Sequence, residues 1–133
     1  DASFATPGVN IGLFCSTPMV AVSRKVNRKN SMKMLLTGEP INASYAKEIG
    51  LINDYFSIKN IEDEVLKIAK VISSKSNLVI KFGKSAFYKQ LEMPIDQAYN
   101  YTSKVMVENM MTEDAKEGIN AFIKKRKPIW KNK

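Results

Sequence analysis

Apolar positions recur at helical spacing over most of the chain, and only the first sixteen residues depart from that rhythm. There, Ala2-Ser3-Phe4 reads as a short strand broken by Pro7-Gly8. The alternation of Val9, Ile11 and Leu13 suits a strand, or, given Gly12, a loop. From Thr17, a cap with Pro18 at the first helical position, the pattern predicts a helix to about Val26. Asn30 or Asn27 opens the next helix, with Met32, Leu35 and Leu36 buried and Gly38 as its stop. Asn42 caps a short helix over 43–49 ended by Gly50, and the run Leu51 to Phe56 reads as a strand. After Asn60, the residues Ile61, Val65, Ile68 or Ala69, and Ile72 form one apolar stripe. Acids in its first turn and lysines near its end suit the helix dipole. Ser76 caps a helix bearing Leu78, Val79, Phe82 and Ala86, where Gly83 permits close approach by a neighbour. Pro94 starts a long helix, with Ile95, Ala98, Thr102, Val105, Met106 and Asn109 facing one side. Thr112 caps the last helix, which carries Ala115, Ile119 and Phe122 and is stopped by Pro128.

This pattern divides the chain into residues 1–56, the end of a sheet-bearing core with its helices, and residues 57–133, a helical layer. Four C-terminal helices can close a core by themselves, but a lone strand or two is marginal. Residues 1–16 are therefore expected to need sheet upstream of Asp1, and the isolated chain is expected to self-associate or fold only partly. No apolar stretch approaches the roughly 20 residues that span a bilayer, so no membrane partner is expected.

Composition removes whole classes of chemistry. The 133 residues contain no histidine, which excludes Ser-His and Cys-His dyads, His-based zinc sites and His general bases. The single cysteine, Cys15, cannot form an internal disulfide, which suits a reducing compartment; with no activating base nearby it reads as a small buried residue. The net charge of +8 is concentrated in the last ten residues, Lys124 to Lys133, which hold six Lys/Arg and no acid. What precedes them carries only +2, so the chain is a nearly neutral body with one basic tail. Glu62, Asp63, Glu64, Glu113 and Asp114 fall in first turns of helices, where capping and the dipole account for them, and Glu117 reads as structural. The six glycines are scattered, and Gly8-x-x-x-Gly12 lacks the Lys-Ser/Thr of a phosphate loop.

Two stretches carry a family pattern. Leu36-Thr37-Gly38-Glu39-Pro40-Ile41-Asn42-Ala43, followed by Ala46 and Gly50-Leu51-Ile52, resembles the LTG-x-x-I-x-A-x-x-A-x-x-x-G-L-V run of the crotonase (enoyl-CoA hydratase/isomerase) superfamily. Glu117-Gly118, Ala121-Phe122 and Lys125-Arg126-Lys127-Pro128 resemble its C-terminal EG-x-x-AF-x-x-KR-x-P signature. Both blocks stand in order and register, and the match covers the chain as roughly the second half of a member. The opening run Ala2 to Pro18 is similar to a mitochondrial branch of that superfamily, which implies a mitochondrial location.

The resemblance implies an α/β crotonase fold, a ββα spiral, of which this chain carries a short remnant of sheet and the mostly helical C-terminal part. It implies an acyl-CoA thioester as partner, with CoA as part of the substrate and no metal or other cofactor, in fatty-acid metabolism. It also implies homo-oligomers, trimers or hexamers, packed through the C-terminal helices. Hydratases of the family place a catalytic Glu directly after the Pro of the A-x-F-G-x-P-E run; here that position is Gly8, which has no proton to give or take. No catalytic residue is therefore assigned. The family's other acid and its oxyanion donors belong to segments upstream of Asp1, so this chain alone is expected to be inactive. Replacing Gly8 by Glu is expected to raise hydration if that other acid is present.

In the family, the Phe of the C-terminal signature stacks near the adenine of CoA, and the third residue after it reaches the phosphates. Those positions are Phe122 and Lys125, and one helical turn would put both on one side. Two other classes compete: a non-catalytic interaction or subunit-packing module, and, less favoured, a nucleic-acid binder using the tail with Trp130 and Phe122 as stacking platforms. A basic run this short makes few phosphate contacts.

Overall fold

The computed structural model describes residues 1–133 and separates them into two compact units, Asp1–Glu64 and Val65–Lys133. In the first unit the strand at the start is real but minimal: β1 (Ser3–Phe4) pairs antiparallel with β2 (Ile41–Asn42), Ser3 opposite Asn42 and Phe4 opposite Ile41. The partner strand comes from the stretch just after Gly38. Residues Pro7–Ile11 form a 3₁₀ helix, which resolves the strand-or-loop alternative as neither.

The helix expected from Thr17 is α1 (Ser16–Val22), entered from Cys15 without a side-chain cap. Asn27 caps α2 (Arg28–Thr37), its Oδ1 accepting from the Asn30 amide at 3.0 Å. Asn42 caps α3 (Ala43–Glu48) in the same way at 2.9 Å from Tyr45. The core of this unit is Val26, Met34 and Ile49, with Val22, Ile41, Tyr45 and Leu51 packed around them.

Two readings of this region need correction. Leu35 is buried as expected, but its apolar companion inside α2 is Met34, while Met32 and Leu36 are exposed. Residues 51–53 form bends, and no residue from Leu51 to Phe56 joins a ladder. Leu51 is drawn instead into the end of α3 by its amide bond to the Ala46 carbonyl, 2.9 Å.

The helix after Asn60 is α4 (Ile61–Ser73), with Glu62, Asp63 and Glu64 in its first turn. It buries no residue, and its stripe Ile61, Val65, Ile68 and Ile72 is about half exposed. In the second unit Ser76 caps α5 (Asn77–Gln90). Pro94 precedes α6 (Ile95–Met110), and Thr112 caps α7 (Glu113–Ile123). These three helices pack on one another in every pairing, with Ala86 of α5 and Ala121 of α7 at the buried seam. Gly83 meets nothing, since a Cβ there would have no atom within 4 Å.

Candidate functional site

The position that the family pattern assigns to an acid lies in the 3₁₀ helix. The Gly8 amide donates to Cys15 Sγ at 3.2 Å, and the Leu13 amide donates to the Gly8 carbonyl at 2.9 Å, so residues 8–15 form a loop closed on Gly8. A Cβ at position 8 would lie 2.8 Å from both Cys15 Sγ and the Leu13 carbonyl oxygen. One of those atoms is backbone and cannot rotate away. The expectation that Gly8→Glu would restore an acid is therefore revised: the side chain has no room without moving the loop. Cys15 is half-buried, and what it does here is occupy that room.

The other candidate residues stand at the end of α7. Phe122 is 85% exposed, an aromatic ring presented to solvent on the last turn of the helix. Lys125 is not on the same helix. α7 ends at Ile123, five residues before Pro128, and Lys125 has φ +51°. Its amide donates to the Phe122 carbonyl at 3.1 Å, and the Arg126 amide donates to the Ala121 carbonyl at 3.0 Å. This pair of bonds is the Schellman ending, with Lys125 in the left-handed position. Phe122 and Lys125 are thus joined by a backbone bond across the helix end, not by a shared helical face, and the one-turn reading is corrected. No glycine marks the stop, and Pro128 is its one local signal along the chain.

Beyond that turn the basic tail is not a solvated end. Arg126 grips Glu117 with both arms, Nη1 to Oε1 at 2.6 Å and Nη2 to Oε2 at 2.8 Å, and the Ile129 amide donates to Glu117 Oε1 at 2.9 Å. Two-pronged pairs of this kind fix geometry as well as charge. Further on, Asp114 Oδ1 accepts from the Lys131 amide at 2.7 Å, and its carboxylate also accepts from the Asn132 amide. The Lys133 carbonyl accepts from the Asp114 amide at 3.2 Å. Asn132 Oδ1 in turn accepts from the Asn77 amide at the start of α5. Trp130 donates its indole N–H to the Ser74 carbonyl at 2.8 Å, and its ring lies over Gly118, 3.4 Å from where a Cβ would be. Residues 126–133 are a strap laid back along the start of α7.

Asp114, read from the sequence as a first-turn acid, is the buried hub of this strap at 1% exposure. It also accepts a short hydrogen bond from the Ser76 hydroxyl, the cap of α5. Burial pushes its carboxyl pKa up, but the Ser76 hydroxyl and the two tail amides outweigh burial and leave it below the ordinary value. At Glu117 the Arg126 fork, and after it the Ile129 amide, hold the carboxyl down at about 2. Glu117 is structural, as its sequence reading has it, but the tail partners of both acids lie beyond the end of α7, where no local pattern points to them.

Both shifts are depressions, so the stability these acids lend is present above their unfolded pKa and is lost as pH falls through the folded value. For Glu117 the window runs from its usual 4.5 down to about 2. Trp130, the only tryptophan, reports on it. Its emission is expected to move to the red between about pH 4.5 and 2 as the strap lifts; emission unchanged down to pH 2 would contradict the assignment.

The strap also sorts the cations. Arg126 is taken by Glu117 and Lys131 Nζ lies 3.4 Å from Glu113, while Trp130 is engaged within the chain. Of the aromatic groups near the tail, Phe122 is the one presented to solvent.

Comparison with known proteins gives a consistent result. The profile of the family described as Enoyl-CoA hydratase/isomerase matches residues 1–133. The chain is 54% identical over 129 residues to the Mus musculus protein "Enoyl-CoA hydratase domain-containing protein 3, mitochondrial", covering 97% of this chain and 43% of that protein. The human protein of the same name is 50% identical over 129 residues, with the same coverage. The chain therefore spans less than half the length of these curated relatives. Among solved structures, human enoyl Coenzyme A hydratase domain-containing protein 3 superposes with a TM-score of 0.89 at 50% identity, over 97% of this chain and 51% of that one. An enoyl-CoA hydratase from Mycobacterium smegmatis gives 0.92 at 45% identity, over 98% and 51%. The sequence blocks at 36–52 and 117–128, the two-stranded sheet followed by helices and these matches agree: the chain has the crotonase fold of a C-terminal portion and belongs to the enoyl-CoA hydratase/isomerase family.

Proposed function

We propose that the protein binds an acyl-CoA thioester in mitochondria, within fatty-acid metabolism, without hydrating it. The observation that carries this reading is the closed loop at Gly8: the family's acid is absent, and Cys15 Sγ and the Leu13 carbonyl stand where its side chain would begin. Binding is assigned to the end of α7, where Phe122 offers a face for adenine and Lys125 a charge for phosphate. No metal or redox cofactor enters, CoA being part of the ligand. The protein works as a homo-oligomer, a trimer or hexamer.

Titration of the natural protein with CoA and with a short oligonucleotide, at two salt concentrations, tests the binding. A well-made charge-assisted contact is worth on the order of 1.5–3 kcal/mol, so Lys125→Ala is expected to weaken CoA binding roughly tenfold or more. Lys133→Ala is expected to do little. Equal losses from both substitutions, together with tight oligonucleotide binding that falls steeply with salt, would favour a nucleic-acid partner instead. No CoA binding by the unaltered protein would leave a subunit-packing role.

A further inference from the structure

Two helices of this chain end in the same hydrogen-bond pattern with different residues at its special position. At the end of α3 the Leu51 amide donates to Ala46 and the Gly50 amide to Lys47, with Gly50 at φ +79°. At the end of α7 the bonds are Arg126 to Ala121 and Lys125 to Phe122, with Lys125 at φ +51°. Glycine takes this conformation freely, whereas a residue with a Cβ is crowded by the following carbonyl. A lysine held there is a local strain that the surroundings must maintain, and such outliers gather where geometry serves a purpose. Besides the two backbone bonds of the turn, contacts on its far side support it: the Glu117 carboxylate holds the Arg126 guanidinium by two bonds and the Ile129 amide by a third. Residues 126 and 129 are thereby tied to the helix six residues before its end, which favours the reversed course through 125.

We propose that Glu117, through Arg126 and the Ile129 amide, is a positioning residue that locks Lys125 in the left-handed conformation and so sets the direction in which its ammonium leaves the helix end. The left-handed backbone turns the Cα–Cβ bond away from the line that a continuing helix would give it. An ammonium on a long flexible stem gains most from such anchoring, since its own rotamers give it little. The purpose of the lock rests on the proposed CoA contact; the lock itself does not.

A four-member cycle in the natural protein tests both: unaltered, Lys125→Gly, Glu117→Ala, and the two together. Lys125→Gly is expected to raise the melting temperature by roughly 3–6 °C, by relieving the strained position. The same change lowers CoA affinity about tenfold by removing the ammonium. Glu117→Ala is expected to lower CoA affinity several-fold, and that loss should vanish when residue 125 is already Gly, a coupling that a merely structural acid would not produce. The thermal gain from Lys125→Gly should also shrink once Glu117 is Ala, because the unlocked turn relaxes. Arg126→Lys keeps the charge but not the fork and is expected to reproduce the affinity loss, which covers the case of Glu117→Ala failing to fold. The proposal is overturned if Lys125→Gly brings no thermal gain, or if Glu117→Ala and Arg126→Lys weaken CoA equally with Lys or Gly at 125. If the unaltered protein does not bind CoA, the proposed function fails, and the thermal half of the cycle still decides the lock.

Discussion

Crotonyl-CoA offered to the natural protein is expected to keep its enone absorbance, with turnover indistinguishable from background. A positioned general acid or base contributes about 10²–10⁴-fold to such a reaction, and residue 8 supplies none. The decisive arm is Gly8→Glu. If the glycine were simply a lost side chain, putting the carboxylate back would recover part of that factor. The geometry predicts otherwise, because the new Cβ would stand 2.8 Å from Cys15 Sγ and from the Leu13 carbonyl oxygen. Cys15→Ala would free the first contact but not the second, which is main chain. Forcing atoms into such a site costs about 1–3 kcal/mol. Gly8→Glu is therefore expected to lower the urea midpoint and leave hydration absent, with or without Cys15→Ala. Ordinary hydration by the unaltered protein would refute the proposed function. A Gly8→Glu protein as stable as the parent would show that the loop yields more readily than its contacts imply.

Asp114→Ala is expected to give a large loss of stability, from a residue that touches none of the proposed ligand contacts. Its carboxylate is the common acceptor for the Ser76 hydroxyl and the Lys131 and Asn132 amides. Removing it leaves three donors without a partner, and unsatisfied groups of this kind cost more than the net worth of the bonds they had made. For a unit of this size the melting temperature should fall by roughly 10 °C, and Trp130 should become solvent-exposed at neutral pH. Asp114→Asn keeps one acceptor oxygen and should lose less. Ser76→Ala removes both a cap and one donor to Asp114, and is expected to fall between the two. Wild-type melting in Asp114→Ala would mean that the strap contributes nothing to the fold.

Features that depend on neighbours along the chain could be read directly from the residues. Asn27, Asn42, Ser76 and Thr112 were legible as caps because a cap needs only the amide three residues ahead. Helices α4 to α7 were legible from a period of 3.6. The family followed from two motif blocks in register, and the absent acid followed from the opening run, where Gly8 stands directly after Pro7.

Features that join distant positions emerged with the folded chain. The partner of Ser3-Phe4 lies nearly forty residues on, at Ile41-Asn42. Which face of α2 is buried depended on Val26 and Ile49 closing over Met34. That Gly8 is walled in, and not merely bare, rests on a sulfur seven residues away. In the sequence the tail shows only as a run of charge, because the acids that fold it back, Asp114 and Glu117, look like any helix carboxylates until the chain returns to them. The conformation of Lys125 belongs to the same class. A lysine has no preference for the left-handed region, so its place there depends on the bonds of the turn and on contacts made beyond it.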